Sequence, residues 1–219
     1  MSVDWSWPWV LEILPDLLLA TLVTIRIALL GFLVALVVGL VVALGRLSHY
    51  VILNRISWAF TESVRLTPLL VQLFFAFYVL PEWGITIPAE PTGIIVIGLH
   101  YAAYTSEVYR SGIRAIDRGQ WEASIALSLP ETTVWSRIIL PQAIRPMIPA
   151  LGNFMIQLFK EVPLLSTITV YELLNTGNLL AGHSFRYLET LTMVGVIFFL
   201  LSYPSSILVR RLEARRAHG

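Results

Sequence analysis

The sequence predicts an all-α membrane protein with five transmembrane helices in one domain over residues 1–219. Hydrophobic residues make up 57% of the 219 residues and charged residues only 13%, whereas a soluble domain carries roughly 25% charged residues. Five apolar runs approach or reach the length that crosses a bilayer, and the basic residues gather in alternate connections. The composition excludes a soluble enzyme, and the net charge of +1 does not suggest a nucleic-acid partner.

Two of the apolar runs are long enough to span a membrane without interruption. Residues 27–45 are closed by Arg46, and residues 190–209 are closed by Arg210 and Arg211. About 20 apolar residues cross a hydrocarbon core of roughly 30 Å. We expect the first helix to begin near Leu17, after a short segment at the membrane interface that is rich in tryptophan.

Three further runs are shorter or contain polar residues, at residues 66–80, 91–106 and 146–159. We predict that these also span the membrane, because helix ends carry charge near the interface and buried faces carry it deeper. The alternative for residues 146–159 is a water-soluble core helix. That alternative would leave the apolar surface of the neighbouring runs uncovered.

The distribution of basic residues predicts the orientation of the chain. Twelve of the 15 basic residues lie around the first connection, in the third connection and at the C-terminus. The second and fourth connections hold almost none. By the positive-inside rule, the N-terminus lies outside and the C-terminus lies in the cytoplasm.

The third connection, at about residues 110–145, is too long for a simple turn between helices. Trp121, Ile125 and Leu129 recur every four residues, which predicts a short helix opened by Gly119 and stopped by Pro130. The same pattern is also typical of an amphipathic helix that lies on the membrane surface.

Motifs in this connection resemble the EAA signature of ABC-importer permeases. The triplet Glu122-Ala123-Ser124 is followed, sixteen residues after Glu122, by the element Ile138-x-Leu140-Pro141. The run RLTPLLVQLFFAFYVL from Arg65 and the run YELL from Tyr171 are also similar to bacterial permeases for histidine, glutamine or arginine. The resemblance implies a type I ABC importer permease fold with a cytoplasmic coupling helix. The residues it implies in ATPase coupling are Gly119, Glu122, Ala123, Ser124, Ser128, Ile138, Leu140 and Pro141.

Two departures from the family pattern stand out. Ser128 occupies the position where the signature has a glycine, six residues after Glu122. Residues 160–164 read KEVPL, whereas members of the family commonly read KDTSL at these positions. The KEVPL sequence is similar to that of permeases assigned to ectoine and hydroxyectoine. We therefore expect a polar amino acid or an amino-acid-like zwitterion as the substrate, with ectoine or hydroxyectoine as the narrow candidate.

The chain has no nucleotide-binding loop of its own, since its single lysine, Lys160, does not follow a glycine. No cofactor is expected on this chain, and ATP would be bound by a separate cytoplasmic ATPase dimer. Five helices are few to enclose an alternating-access route, so we expect a second permease subunit that is either identical or a related sister chain. The resemblance also implies an extracytoplasmic solute-binding protein and a location in the bacterial inner membrane.

Polar residues within the spans are candidates for the substrate pathway, because an unpaired polar group in hydrocarbon costs several kcal/mol. Asn153, Gln157 and Lys160 share one face of the fourth span, with Glu161 at its edge. His100 and Glu107 lie on one line of the third span. The alternative for both groups is hydrogen bonding between helices without ligand contact.

Two other functional classes remain open at this point. A free-standing secondary transporter or channel would show two similar halves or a filter-like loop, and the sequence has neither. An intramembrane hydrolase would need a serine and a histidine in register, but Ser106 and His100 lie six residues apart on one helix. The chain is therefore expected to be a transport subunit and not an enzyme.

Overall fold

The computed structural model describes residues 5–217, and every regular element in this range is helical. The side chains of the C-terminal basic cluster that contributes to the predicted orientation lie outside the described residues. These are Arg210, Arg211, Arg215 and Arg216.

The first helix, α1 (Trp7–Leu47), begins ten residues before the predicted start at Leu17. Ser6 caps it by accepting a hydrogen bond from the backbone N–H of Trp9, as short polar residues do at helix N-termini. The Trp9 indole N–H also donates to Thr190 Oγ1 at 3.2 Å. The tryptophan-rich segment is therefore part of the helix and packs against the last helix, which corrects the predicted separate lead-in.

The remaining helices follow the predicted order of spans with additions between them. The second predicted span is preceded by an unpredicted helix, and the long third connection is itself helical. The bounds are α2 (Val51–Leu66), α3 (Leu69–Phe74), α4 (Ala89–Arg114), α5 (Arg118–Ala126), α6 (Glu131–Thr133), α7 (Leu140–Glu161), α8 (Leu173–Ser184) and α9 (Tyr187–Ala217). A π turn (Phe75–Val79) and a 3-10 turn (Leu80–Trp83) extend α3, a π turn (Val134–Ile139) joins α6 to α7, and a 3-10 helix (Val162–Ile168) follows α7.

Within the described residues, two helices are long and apolar enough to cross a membrane, namely α1 and the Tyr187–Ile207 part of α9. The pair Val51–Leu66 and Leu69–Trp83 raises the number to three if it is counted as one span, although it bends by 106°. Helices α4 and α7 cover the other predicted runs but contain more charged and polar residues. The count of five spans therefore stays a prediction.

The core of the bundle lies where α1 packs against α4. Gly39 allows the two helices to approach closely, since a Cβ added there would overlap Thr105 Oγ1 and lie 3.0 Å from the carbonyl oxygen of Ala102. The Thr105 hydroxyl donates to the carbonyl of Ala35 at 2.8 Å, which links a side chain of α4 to the backbone of α1. Small residues at such crossings are typical of membrane helix packing.

Candidate functional site

The short helix predicted in the third connection is present as α5, and its first turn is held by local hydrogen bonds. Asp117 caps it by accepting the backbone N–H of Gly119 at 2.6 Å. One turn later, Arg118 Nε donates to Glu122 Oε1 at 2.9 Å, and both side chains are largely exposed. Such i, i+4 pairs at the surface contribute only a few tenths of a kcal/mol, about 0.3–0.5.

The helix ends at Ala126, four residues before the stop predicted at Pro130. Ser128 adopts a left-handed conformation with φ 50°, and its N–H donates to the carbonyl of Ile125 at 2.9 Å. The next N–H, of Leu129, donates to the carbonyl of Ser124 at 3.1 Å. These two bonds form the Schellman motif that commonly ends helices. Serine thus takes the conformation usually given to glycine, and Leu129 lies beyond the helical face.

Contacts with the π turn Val134–Ile139 and with the start of α7 hold α5 in place. The rings of Trp121 and Trp135 meet edge to face, with centroids 5.4 Å apart. The side-chain amide of Gln142 donates to Gln120 Oε1 at 3.2 Å and to the carbonyl of Ile138 at 2.8 Å. The ring contact ties α5 to the π turn, and the Gln142–Gln120 bond ties it to α7, which continues into the bundle.

The outer surface of α5 is uncovered in this chain. Ile125 is 78% exposed and Leu127 is 70% exposed, and Glu122 and Ala123 are exposed beside them. Exposed apolar side chains grouped with a charge are typical of an interaction site. The predicted face with Trp121 and Ile125 is therefore split, because Trp121 packs inward and Ile125 points outward.

The remaining predicted coupling residues fall on two sides of this surface. Ser124 is buried and donates to the carbonyl of Gln120 at 2.7 Å. Ile138 is half-buried in the π turn, while Leu140 and Pro141 are exposed at the start of α7. Pro141 has no N–H to offer the carbonyl of Arg137, so the regular α-helical pattern is not continued across this point.

The polar face of α7 is open in the isolated chain. Asn153, Gln157 and Lys160 are all exposed. Lys160 lies at the edge of a groove between α7 and α9 whose other walls include Phe198, Phe199 and Ser202. The face predicted from the spacing of these residues is therefore present.

Glu161 points away from this face. Its carboxylate lies beside the Tyr101 hydroxyl on α4, and its Oε2 atom is buried with no hydrogen-bond partner. Lys160 and Glu161 thus have different neighbours, although they are adjacent in sequence.

His100 and Glu107 connect helices to each other in the described structure. His100 is 7% exposed, and its Nδ1 lies 3.2 Å from Gln72 Oε1 on α3. Glu107 Oε2 accepts a hydrogen bond from Arg110 Nε at 3.0 Å, and Glu107 Oε1 lies 3.6 Å from Arg46 Nη2 at the end of α1. The His100 contact favours the alternative of hydrogen bonding between helices, whereas Glu107 is hydrogen-bonded within α4 and is joined to α1 by an ion pair with Arg46.

Arg65 and Tyr104, which were not among the predicted site residues, join the neighbourhood of His100. Arg65, at the end of α2, stacks over the Tyr104 ring with 5.6 Å from Cζ to the ring centroid. The Tyr104 ring lies against both His100 and Phe154, at centroid distances of 5.3 and 5.6 Å. The RLTP run that begins at Arg65 could have indicated the bend after α2, because a proline two residues after an apparent helix end predicts a bend.

The geometry of a serine hydrolase is not formed by the described side chains. Ser106 Oγ donates to the carbonyl of Ala103 at 2.8 Å, and His100 faces Gln72 instead. Among the side chains that the structure describes, no group of three or more His, Cys, Asp or Glu is placed to hold a metal ion.

Comparison with known proteins identifies the family. The model of the binding-protein-dependent transport system inner membrane component family matches residues 35–218. A probable amino-acid ABC transporter permease of Sinorhizobium fredii is 45% identical over 208 residues, covering 93% of this chain and 88% of the relative. The L-cystine transport system permease of Bacillus subtilis is 34% identical, covering 87% and 83%. The glutamine transport system permease of Escherichia coli K12 is 33% identical, covering 98% of each chain.

Solved structures agree in fold. A crystal structure of an amino acid ABC transporter with histidines superimposes with a TM-score of 0.90 at 29% identity, covering 97% of this chain and 99% of that chain. An inward-facing structure of the MetNI methionine ABC transporter has a TM-score of 0.64 at 17% identity, covering 95% and 99%, and so shows the fold alone. The chain therefore belongs to the binding-protein-dependent transport system inner membrane component family, as a multi-pass amino-acid ABC transporter permease subunit with the type I importer fold.

Proposed function

We propose that this chain is the permease subunit, one domain over residues 1–219, of an importer for a polar amino acid or an amino-acid-like zwitterion. A separate cytoplasmic ATPase dimer drives transport, and an extracytoplasmic solute-binding protein delivers the substrate. A second permease subunit, identical or a sister, completes the route.

The surface of α5 carries the proposal. Helix α5 contacts the π turn before α7 through Trp121 and Trp135, yet Glu122, Ile125 and Leu127 are left uncovered. A short helix that is attached to the bundle by side-chain contacts and has exposed apolar residues is suited to transmit a movement of a partner into the bundle. We assign this surface to the ATPase, with residues 110–145 as the coupling region.

Charge reversal at Glu122 tests this assignment. Glu122→Lys places a second cation one turn from Arg118, whereas Glu122→Gln removes the charge without adding repulsion. We expect the lysine variant to insert normally but to lose ATPase binding and uptake, and the glutamine variant to keep most of both. Co-purification of the ATPase and uptake by the reconstituted complex measure the two effects. Full ATPase binding and uptake in the lysine variant would contradict the assignment.

The substrate proposal rests on the charged end of α7 and on the relatives. Two of them are named for L-cystine and glutamine transport, and both compounds carry an ammonium and a carboxylate group. Here Lys160 is exposed toward the α9 groove and suits a carboxylate. Glu161 lies on the Tyr101 side of α7, and its buried Oε2 has no hydrogen-bond partner, so a cationic group would have to reach it from that side. Gln157 and Asn153 extend the polar face. The KEVPL sequence of residues 160–164 makes ectoine or hydroxyectoine the narrow candidate.

The substrate is tested on the cognate binding protein and on the complex together. Thermal stabilisation of the binding protein by glutamine, arginine, cystine, ectoine and hydroxyectoine ranks the ligands. Uptake of the best ligand into proteoliposomes then links the ranking to this permease. We expect ectoine or hydroxyectoine to stabilise the binding protein most, and a ranking led by glutamine or arginine would replace the narrow candidate.

A further inference from the structure

The bend between α2 and α3 leaves backbone groups that need partners. Helix α2 ends at Leu66 and α3 begins at Leu69, with Thr67 and Pro68 between them in extended conformation. Proline disfavours helical geometry at the residue before it and cannot donate a backbone hydrogen bond. The last carbonyl groups of a helix lack intrahelical partners. A 106° bend inside a membrane protein therefore requires side chains that satisfy those carbonyls.

The side chain of Gln72, which lies on α3, donates hydrogen bonds to these acceptors from the other side of the bend. Its Nε2 lies 2.9 Å from the carbonyl oxygen of Val64, 3.1 Å from that of Thr67 and 2.7 Å from Thr67 Oγ1. All three atoms are acceptors here, since the Thr67 hydroxyl donates its own proton to the carbonyl of Ser63 at 2.9 Å, and they share the two protons of the Gln72 amide. The amide orientation of Gln72 follows, because the opposite orientation would place its oxygen against these oxygens.

The remaining atom of the Gln72 amide reaches another helix. With Nε2 on the α2 end, Oε1 faces His100 Nδ1 on α4 at 3.2 Å. Gln72 Oε1 can only accept, so His100 Nδ1 carries the proton and donates it. One side chain thus joins the end of α2, the start of α3 and the middle of α4.

A second contact supports the same junction. Arg65 stacks on Tyr104, and Tyr104 lies against His100. The end of α2 is thereby held to α4 by a hydrogen-bonded link and by a cation–π link, the latter worth about 0.5–2 kcal/mol according to its exposure.

We propose that Gln72 is a positioning residue for transport, which sets the angle between α2 and α3 and holds the bend against α4 through His100. In this role Gln72 does not touch the substrate. The bond to His100 opens when the bend moves relative to α4, while the bonds to the α2 carbonyls persist. The inference rests on the proposed transport function, because only a transport cycle would require the bend to move.

Removal of the Gln72–His100 hydrogen bond should weaken the coupling between the loaded binding protein and ATP hydrolysis by the complex. For Gln72→Leu and for His100→Leu, we expect stimulation of ATP hydrolysis by the loaded binding protein to fall about fivefold, which corresponds to ~1 kcal/mol. His100→Asn retains an N–H donor near the position of Nδ1 and should restore most of the stimulation. Val71→Ala, one residue away on the exposed side of α3, is the matched control and should behave like the wild type.

A distance measurement separates this role from a general loss of structure. The chain contains no cysteine, so Ile56→Cys on α2 and Trp83→Cys beyond α3 take spin labels without background. In the assembled complex, we expect the interspin distance distribution to broaden with Gln72→Leu and His100→Leu, and to stay narrow with His100→Asn and Val71→Ala. If both leucine variants keep the wild-type distribution and stimulation, the inference is overturned.

The two proposals fail in different ways. A wild-type complex without any stimulation by loaded binding protein would contradict the proposed function, and the label distances would still report whether Gln72 sets the bend. A stimulated wild type with equal broadening for His100→Asn and His100→Leu would contradict the positioning role of Gln72 alone.

Discussion

The backbone N–H of Ser128 donates to the carbonyl of Ile125 at 2.9 Å while Ser128 adopts φ 50°. A side chain at this left-handed position is strained, by roughly 1 kcal/mol compared with glycine. We therefore predict that Ser128→Gly protects the Leu129 amide more strongly against hydrogen exchange, because the turn that ends α5 becomes easier to form. Ser128→Val should have the opposite effect, since a β-branched residue tolerates positive φ poorly.

The close approach of α1 and α4 predicts a strong effect of substitution at Gly39. Gly39→Ala should lower the free energy of unfolding by about 1–3 kcal/mol, as overpacking of a tight core does, because the new methyl group meets Thr105 and the backbone at Ala102. Gly195→Ala is the control, because no atom lies within 4 Å of the added Cβ. Thermal unfolding in detergent measures both variants. An unchanged melting temperature for Gly39→Ala would show that the helices can separate at little cost.

The exposed face of α7 predicts loss of uptake without loss of assembly. Gln157→Leu and Lys160→Met should each lower uptake by about tenfold, the effect expected if one charged or polar ligand contact worth ~1.4 kcal/mol is removed. Met155→Leu, on a neighbouring part of the helix, conserves volume and is the control. Uptake assays and size-exclusion chromatography of the complex measure the two effects. Loss of assembly would instead favour a role in joining helices, and normal uptake would remove these residues from the pathway.

The basic residues predict the orientation of the chain in the membrane. A reporter fused after Gly219 should be active only in the cytoplasm, and one inserted near Glu90 should be active only outside. Paired reporters that work on opposite sides of the membrane, such as alkaline phosphatase and green fluorescent protein, make the measurement. An exported C-terminal reporter would overturn both the orientation and the count of five spans.

The connection between α7 and α9 predicts a pH-dependent contribution to stability. Glu172 is fully buried and accepts the backbone N–H groups of Leu174 and Asn175 at 2.9 and 2.7 Å. Burial raises the pKa of Glu172 from 4.5 to about 6, and the two hydrogen bonds oppose this rise only in part. The native state therefore binds the Glu172 proton more tightly than the unfolded chain does. The resulting contribution to the free energy of unfolding is present below pH 4.5 and is lost as the pH rises through 6.

A comparison with Glu172→Gln isolates this contribution, because glutamine does not titrate. Relative to the variant, the wild type should lose roughly 2 kcal/mol of unfolding free energy between pH 4.5 and 6. Denaturation curves at several pH values measure the difference. A difference that does not change with pH would show that Glu172 keeps an ordinary pKa in the native protein.

The amino-acid sequence by itself determined the helical membrane class, the order of the apolar segments and the position of the short helix in the third connection. Hydropathy and charge act locally, so a run such as residues 190–209 is recognisable without its neighbours. The resemblance around Glu122 also led to the family that the comparisons confirm. The start of α1 and the end of α5 were placed wrongly, because a cap at Ser6 and a left-handed Ser128 are decided by hydrogen bonds that residue type only favours.

Only the tertiary structure decided which polar residues face each other. Lys160 and Glu161 are adjacent in sequence but diverge toward α9 and Tyr101, because successive residues on a helix lie about 100° apart. His100 meets Gln72, which is 28 residues away in sequence. The 106° bend, which sequence reasoning treated as the start of a straight span, is what brings Gln72 to α4. Contacts of this kind depend on how helices cross, and a hydropathy pattern contains no information about the crossing partner.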